Sequence, residues 1–105
     1  MDDITLMHRL ANGDDDALAP IIKRYGPYLQ SLVTRYVGPH TAEEIVQDTF
    51  MVVRAKAGQF QKTKSLKSWL GTIAVRRAYD ALRKKRRRPW VEINDEHPVP
   101  APANY

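Results

Sequence analysis

The chain has 105 residues, no cysteine and a formal net charge of +5. That length corresponds to one small domain, and the lack of cysteine excludes disulfide bonds and thiolate metal ligands and is consistent with a reducing, cytoplasmic compartment. No apolar run approaches the roughly 18 residues that span a bilayer, so no transmembrane segment is expected.

Charge is distributed unevenly along the chain. Residues 1–50 contain 4 basic and 8 acidic side chains. Residues 51–90 contain 13 basic side chains and 1 acidic one, and residues 91–105 contain 3 acidic side chains and no basic one. The net charges of these segments are therefore −4, +12 and −3. The concentrated positive block is typical of a domain that binds a polyanion, and it predicts a nucleic-acid partner.

Apolar residues recur at helical spacing through most of the chain, which predicts an all-α fold. A short first helix is predicted over residues 4–10, before a stop signal at Asn12 and Gly13. The acidic run at residues 14–16 is expected to cap the start of the second helix.

Glycine and proline delimit the second and third predicted helices. The apolar stripe of the second helix covers residues 18–36, and Pro27 is expected to kink this helix rather than break it because the stripe resumes in phase. Gly38 and Pro39 end it. A capping box at residues 41–44 predicts the start of the third helix, which should run to about residue 57. Its predicted buried arc comprises Ala42, Ile45, Val46, Thr49, Phe50 and Val53.

The fourth predicted helix follows a polar loop at residues 61–64, has Ser65 as its cap and ends at residues 86–88, before a proline. Together the elements predict a compact bundle of three main helices plus a short N-terminal helix in residues 1–89. The proline-rich residues 90–105 are expected to form a linker or a disordered tail.

The fourth helix presents two different faces at 100° per residue. One is apolar and can pack in the core: Leu66, Leu70, Ile73, Ala74, Ala78 and Ala81. The other combines an aromatic ring, polar groups and cations: Trp69, Thr72, Arg76, Asp80, Arg83 and Arg87. Cations bind phosphates, arginine and threonine can read base edges, and tryptophan can stack on an unpaired base. This second face is predicted to bind nucleic acid.

Several of these residues also have purely structural interpretations. The six consecutive cations at residues 83–88 could form only a solvated helix end, although their mutual repulsion favours a bound polyanion. Trp69 could belong to the core, and Asp80 could serve only to pair with neighbouring cations. Arg77 lies in the apolar arc and is expected to snorkel or to meet an acidic partner.

Opposite its buried arc, the third helix is predicted to expose a mostly polar face that contains one large apolar residue. The face comprises Glu44, Gln47, Asp48, Met51 and Arg54. An exposed apolar side chain among polar ones suggests a protein partner, and the alternative is an ordinary solvated surface.

No pattern of catalytic residues is present. His8, His40 and His97 lack the spacing of a metal site, and neither a glycine-rich phosphate loop nor a nucleophile motif occurs. The chain is therefore expected to act without enzymatic activity, a cofactor or a metal ion.

Four segments resemble region two of bacterial sigma factors, especially those of the extracytoplasmic-function (ECF) class. They are residues 12–18, 42–50, 65–74 and 80–83, which read NGDDDAL, AEEIVQDTF, SLKSWLGTIA and DALR. The second segment is close to the AEDLVQETF run of that family. The resemblance extends over about residues 4–88.

This resemblance implies a domain that binds core RNA polymerase and recognises and melts the −10 promoter element by capturing flipped non-template bases. It implies that Glu44, Gln47, Asp48, Met51 and Arg54 contact the clamp coiled coil of the largest catalytic subunit, and that an anti-sigma factor is a further partner. The implied DNA-binding residues are Phe60, Lys62, Lys64, Ser65, Lys67, Trp69, Thr72, Arg76, Asp80, Arg83, Lys84 and Arg87. Arg76 replaces a residue that is often small and polar in the family, so the family's preferred DNA sequence does not transfer.

Sigma factors of this class carry a second domain, region four, for the −35 element. The chain ends at Tyr105, within what would be the linker between the two domains. It is therefore expected to be an excised domain or a protein reduced to region two, with weak binding to polymerase and to single-stranded −10 DNA.

Two other functions compete with this interpretation. A sigma-like decoy that binds an anti-sigma protein would need the protein-binding face but not the cationic one. A generic binder of nucleic acid or of anionic membranes would not need the polar face of the third helix.

Overall fold

Four α-helices and two short 3₁₀ turns make up most of residues 1–86, the part of the chain that this computed structural model describes. They are α1 (Asp3–Ala11), the turn Asp15–Ala17, α2 (Leu18–Val37), α3 (Pro39–Lys56), the turn Ala57–Gln59 and α4 (Leu66–Arg86). No strand occurs among these residues, so the all-α prediction is confirmed. The expectations for Arg87 and for the tail at residues 90–105 lie outside the described residues.

Side-chain caps at the first helix and at the following turn arise from the acidic N-terminal sequence. The Asp2 carboxylate accepts a hydrogen bond from the Thr5 N–H at 2.8 Å, and hydrogen bonds from the Thr5 side chain and from this N–H lower the pKa of Asp2. The Asp14 carboxylate accepts one from the Asp16 N–H at 3.2 Å. Asp14 therefore caps the turn before α2, whereas α2 itself begins after Ala17 with no side-chain cap, so the prediction that the acidic run caps the second helix was wrong.

Helix α2 continues through Pro27, as the sequence predicted. Pro27 has no N–H to donate to the preceding turn, but its side chain lies on the exposed side of the helix. Ile21 before it and Leu29 and Val33 after it are fully buried in the same core. Packing on both sides of the proline therefore stabilises the helix across the missing backbone hydrogen bond.

The start of α3 differs from the prediction. The helix begins at Pro39, two residues before the capping box, and no side chain caps it. Gly38 precedes it with φ +82° and ψ 165°, and the Ala42 N–H donates to the Gly38 carbonyl at 3.0 Å. Proline is favoured at the first helical position because its fixed φ suits the helix and its missing N–H needs no partner there. The prediction that Thr41 caps the helix was wrong, because the Gly38–Pro39 pair begins the helix first.

The core lies where α2, α3 and α4 meet, with α1 packed at one end. All six residues of the predicted α3 arc are buried. On α4, the predicted apolar face is buried at Leu66, Leu70, Ala74 and Ala78 and partly buried at Ile73 and Ala81. Ser65 caps α4 as expected, with its Oγ accepting from the Ser68 N–H at 3.2 Å. Within residues 1–86, none of the helices has the length and apolar character needed to cross a bilayer.

A polar network joins α1 to α2. The Tyr25 hydroxyl and the Arg24 guanidinium both donate to the Asp3 carboxylate, with Arg24 Nη1 at 2.5 Å from Asp3 Oδ1. Partial burial of Tyr25 and its hydrogen bond to Asp3 raise the pKa of this tyrosine, because both disfavour the phenolate. The neutral phenol therefore stabilises the folded state.

We expect a loss of stability at alkaline pH that depends on Tyr25. Its folded-state pKa lies above the unfolded value of about 10, so its stabilising contribution is complete below that pH and disappears as the pH rises through the folded value. Urea unfolding should show that the free energy of unfolding falls less between neutral and alkaline pH for Tyr25→Phe than for the wild type. An equal loss in the two proteins would contradict this role.

Two glycines should respond to substitution in opposite directions. Gly38 has backbone angles that only glycine adopts readily, so Gly38→Ala should lower the free energy of unfolding by roughly 1–3 kcal/mol. Gly58 lies in the turn Ala57–Gln59 with no left-handed φ, and a Cβ added there would meet no atom within 4 Å. Gly58→Ala should therefore raise the free energy of unfolding by roughly 0.4–1 kcal/mol, because alanine loses less conformational entropy on folding. Urea unfolding of both variants measures this, and a stabilising Gly38→Ala would show that the strained angles are absent.

Candidate nucleic-acid and protein interfaces

The outer face of α4 carries the predicted mixture of cations and polar groups. Thr72, Arg76, Asp80 and Arg83 are exposed, and Trp69 is partly buried. The Arg83 guanidinium donates to the Asp80 carboxylate one turn earlier, so the local pairing considered for Asp80 is present. This pair is exposed at both ends, and such pairs contribute little to stability. The face thus keeps its cations in water, where a polyanion can reach them.

Trp69 packs against the core and is also partly exposed. Its ring packs against the core and contacts the ring of Phe60, with 5.3 Å between the centroids and 55° between the planes. The same side chain also lines two surface grooves, one on either side of it. An aromatic contact of this kind stabilises the packed position of the indole. The exposed part of the indole forms a wall of both grooves.

The first groove lies between the loop before α4 and the start of that helix. We call it the loop groove; it has a volume of about 620 Å³ and is lined by Gln59, Gln61, Thr63, Lys64, Ser65, Ser68, Trp69 and Thr72. Its walls offer amide and hydroxyl donors and acceptors, one ammonium group and an aromatic surface. This combination can surround an unpaired base and bind its polar edge.

Half of the lining of the loop groove was not identified from the sequence. Lys64, Ser65, Trp69 and Thr72 were predicted as site residues, whereas Gln59, Gln61, Thr63 and Ser68 were not. Ser68 lies one helical turn before Thr72, whose Oγ1 donates to the Ser68 carbonyl at 3.0 Å, and this spacing was a usable signal. Gln59 belongs to a 3₁₀ turn after α3, so helical periodicity does not predict where it points.

The second groove continues along α4 toward α3. It has a volume of about 320 Å³ and is lined by Val52, Lys56, Gln59, Trp69, Ile73, Arg76, Arg77 and Asp80. Gln59 and Trp69 are shared with the loop groove. Three of its residues are cationic, so a strand leaving the loop groove in this direction meets groups that bind phosphates.

Two predicted loop cations lie away from both grooves. Lys67 Nζ lies 4.5 Å from the centroid of the Tyr28 ring, a cation–π contact on the α2 side of the helix. Lys62 lines a separate pocket of about 140 Å³ with residues of α1, and Phe60 forms part of its wall. The fold therefore brings Lys64 to the loop groove and directs Lys62 and Lys67 elsewhere.

The predicted outer face of α3 is exposed along its whole length. Glu44, Gln47, Asp48, Met51 and Arg54 all lie at the surface, and Met51 is 56% exposed. We call these five residues the docking face. Arg54 binds Asp15 of the first 3₁₀ turn through two hydrogen bonds, from Nη2 to Oδ2 at 2.6 Å and from Nε to Oδ1 at 3.2 Å. The face combines net negative charge with an apolar centre.

The docking face and the cationic face share one border. A groove of about 400 Å³ between α3 and α4 is lined by Thr41, Glu44, Ile45, Asp48, Arg77, Asp80, Ala81, Arg83 and Lys84. Arg77 is exposed there, so its charged end reaches water in agreement with the snorkelling expectation. Carboxylates of α3 and cations of α4 thus line opposite sides of this groove.

An all-α domain with an acidic face on α3 and an adjacent cationic groove has the charge arrangement that is expected of a protein that joins nucleic acid to a protein partner. Comparison with known families gives the particular assignment. The model of the family described as sigma-70 region 2 matches residues 21–88. The chain belongs to the sigma-70 region 2 family, in the ECF class.

Individual relatives agree with this assignment. The chain is 32% identical over 98 residues to RNA polymerase sigma factor CarQ of Myxococcus xanthus, covering 92% of this chain and 56% of CarQ. It is 31% identical over 87 residues to the ECF RNA polymerase sigma-E factor of Haemophilus influenzae, covering 83% of this chain and 46% of that protein. The chain therefore spans about half the length of the curated relatives that it matches.

A solved structure shows the same fold. It is an NMR structure of an engineered region 2 of sigmaE in complex with GTAAAA, and it superposes with a TM-score of 0.78 at 31% sequence identity. The match covers 84% of this chain and 93% of the solved one. The bundle described above is thus the sigma region 2 bundle.

Proposed function

We propose that this domain binds core RNA polymerase and recognises and melts the −10 promoter element by holding flipped non-template bases in the loop groove. The observation that carries the proposal is the groove itself, which has a volume of about 620 Å³, polar side chains in its lining and the exposed part of Trp69 as one wall. The solved sigmaE region 2 is in complex with GTAAAA and shares this fold. A single strand is accordingly the ligand that we assign to the groove.

The free energy of melting is the quantity that the groove must offset. Removing one base from a duplex costs a few kcal/mol. Stacking of a base on an aromatic side chain contributes about 1–3 kcal/mol. Trp69 and the hydrogen-bonding groups around it can therefore offset most of that cost for one captured base, and phosphate contacts supply further binding energy.

The phosphate contacts are assigned to the cations beside the two grooves. Lys64 lies at the loop groove, Lys56 and Arg76 lie at the second groove, and Arg83 and Lys84 follow on α4. These residues form a line from the loop to the C-terminal part of α4. We assign to Arg76 and Thr72 the reading of base edges, because an arginine and a hydroxyl can bind them specifically.

The docking face is assigned to the clamp coiled coil of the largest polymerase subunit. Its exposed Met51 can serve as an apolar anchor, and its carboxylates suit a partner that carries basic side chains. An anti-sigma factor is proposed as a second, competing partner of the same face. The cationic grooves favour promoter binding over a decoy that binds only an anti-sigma protein, because a decoy does not need them.

The remaining assignments follow from this role. We propose that the domain acts in the cytoplasm as a non-enzymatic specificity module. Residues 1–89 are proposed as the region 2 domain, and residues 90–105 as a linker.

Sequence-specific binding to single-stranded DNA is the first expected property. In fluorescence anisotropy, a panel of short strands that includes GTAAAA should contain at least one that binds tenfold or more tightly than its scrambled version. If four to six phosphates are contacted, the log–log dependence of affinity on salt should have a slope near −3 to −4, at about −0.7 per contact. Equal affinity for all strands would contradict promoter recognition.

Lys64 and Lys67 provide a matched test of the loop groove. They lie three residues apart and carry the same charge, but only Lys64 lines the groove. Lys64→Ala should reduce the magnitude of the salt slope by about 0.7 and weaken all sequences alike. Lys67→Ala should leave the slope nearly unchanged. Equal changes of the salt slope in the two variants would show that DNA binding depends on the net charge of the domain rather than on this groove.

Binding to core polymerase should depend on Met51. Met51→Glu should weaken the affinity for core polymerase at least tenfold, because loss of a central anchor typically exceeds about 2 kcal/mol. Ile22→Glu is the control, since Ile22 is a 40% exposed apolar residue on α2, outside the docking face. Surface plasmon resonance with immobilised core polymerase measures both. If the two variants bind alike, the docking face lies elsewhere.

A further inference from the structure

The ion pair between Asp15 and Arg54 joins two elements that are distant in sequence. Asp15 opens the 3₁₀ turn after α1, and Arg54 lies near the end of α3. Two guanidinium nitrogens, Nη2 and Nε, reach the two carboxylate oxygens at 2.6 and 3.2 Å. Such a two-pronged contact fixes the plane of the guanidinium as well as its position.

Stability alone does not account for this pair. The side chains of Arg54 and Asp15 are 48% and 54% exposed, and exposed ion pairs typically contribute little to stability. Neither side chain covers the core. The main effect of the contact is therefore on the position of Arg54 rather than on the fold.

Helix α3 offers Arg54 no acidic neighbour of its own. Ion pairs within a helix form between residues three or four positions apart. At those positions from Arg54 stand Phe50, Met51, Ala57 and Gly58. Asp15 is thus the group that orients this arginine, which lies one turn from the exposed Met51 on the docking face.

We infer that Asp15 is a positioning residue for polymerase docking, which acts by presenting the Arg54 guanidinium to the partner in a fixed orientation. The inference rests on the proposed docking function and adds to it a residue outside α3. A guanidinium has five N–H donors, and two are engaged by Asp15, so three remain for a partner. The partner surface that fits is a hydrogen-bond acceptor of the coiled coil beside an apolar group that covers Met51.

Holding the arginine before binding lowers the entropy lost on binding. Immobilising one long side chain at an interface costs about 0.5–1.5 kcal/mol, which corresponds to roughly a two- to twelvefold change in affinity. Loss of the pair should therefore weaken docking by that factor. It should leave the loop groove and its affinity for single-stranded DNA unchanged, because neither residue lines that groove.

Asp15→Asn and Asp16→Asn form a matched pair of variants for the test. Both remove one negative charge from the same exposed turn, but only Asp15 binds Arg54. We expect Asp15→Asn to weaken binding to core polymerase roughly two- to twelvefold, mainly through faster dissociation, and Asp16→Asn to have a clearly smaller effect. Equal losses in the two variants would overturn the inference, because they would reflect net charge alone.

A charge swap separates positioning from a structural role. Asp15→Arg combined with Arg54→Asp re-forms an ion pair and should restore the melting temperature of the wild type. It should not restore polymerase affinity, because the guanidinium no longer projects from α3. Recovery of both properties would overturn the inference. If the wild type itself does not bind core polymerase, the proposed docking function is rejected. If the wild type binds and the Asp15→Asn and Asp16→Asn variants have equal affinities, only the role of Asp15 is rejected.

Discussion

Helix α4 has to bury one side in the bundle and keep another side, rich in cations, in water. The middle of its buried side is made of short side chains, with Ala74 and Ala78 fully buried between the buried Leu70 and Leu82. Short side chains let neighbouring helices approach closely but bury little apolar area themselves. The larger residues of α2 and α3, such as Leu29 and Val53, therefore supply much of the apolar burial that holds α4 in place.

The same arrangement makes a strongly basic segment compatible with a folded domain. Most of the basic side chains stay exposed, so they retain their hydration and avoid the desolvation that a buried charge would suffer. Acidic groups lie nearby, with Asp80 bound to Arg83 and with Glu44 and Asp48 across the groove from α4. These neighbours reduce the mutual repulsion of the cations without closing the grooves beside Trp69.

The sequence predicted the features that depend on local periodicity. The buried arc of α3 and the two faces of α4 follow from the angle between successive helical residues, so they could be identified before any packing was known. The start of α3 was predicted two residues too late. The sequence contains a capping box that begins at Thr41, but the Gly38–Pro39 pair already begins the helix at Pro39.

Features that depend on how the helices are placed were not predictable in this way. Lys64 and Lys67 are nearly equivalent in the sequence, yet one lines the loop groove and the other lies over Tyr28 of α2. Gln59 borders two grooves only because a 3₁₀ turn directs it there. The pairing of Asp15 with Arg54 spans 39 positions of sequence, and no short pattern indicates such a contact.

The division of charge between the N-terminal half and α4 also gives the domain a permanent electric dipole. The electric field of a partner that has both basic and acidic surfaces exerts a torque on a dipole as well as an attraction. A protein bound to DNA is a partner of this kind. Screening limits that torque to separations of about 8 Å at physiological ionic strength. In the proposed complex with core polymerase and promoter DNA, such a torque favours one orientation of the domain at short range, and this favours faster association without adding a contact to the final complex.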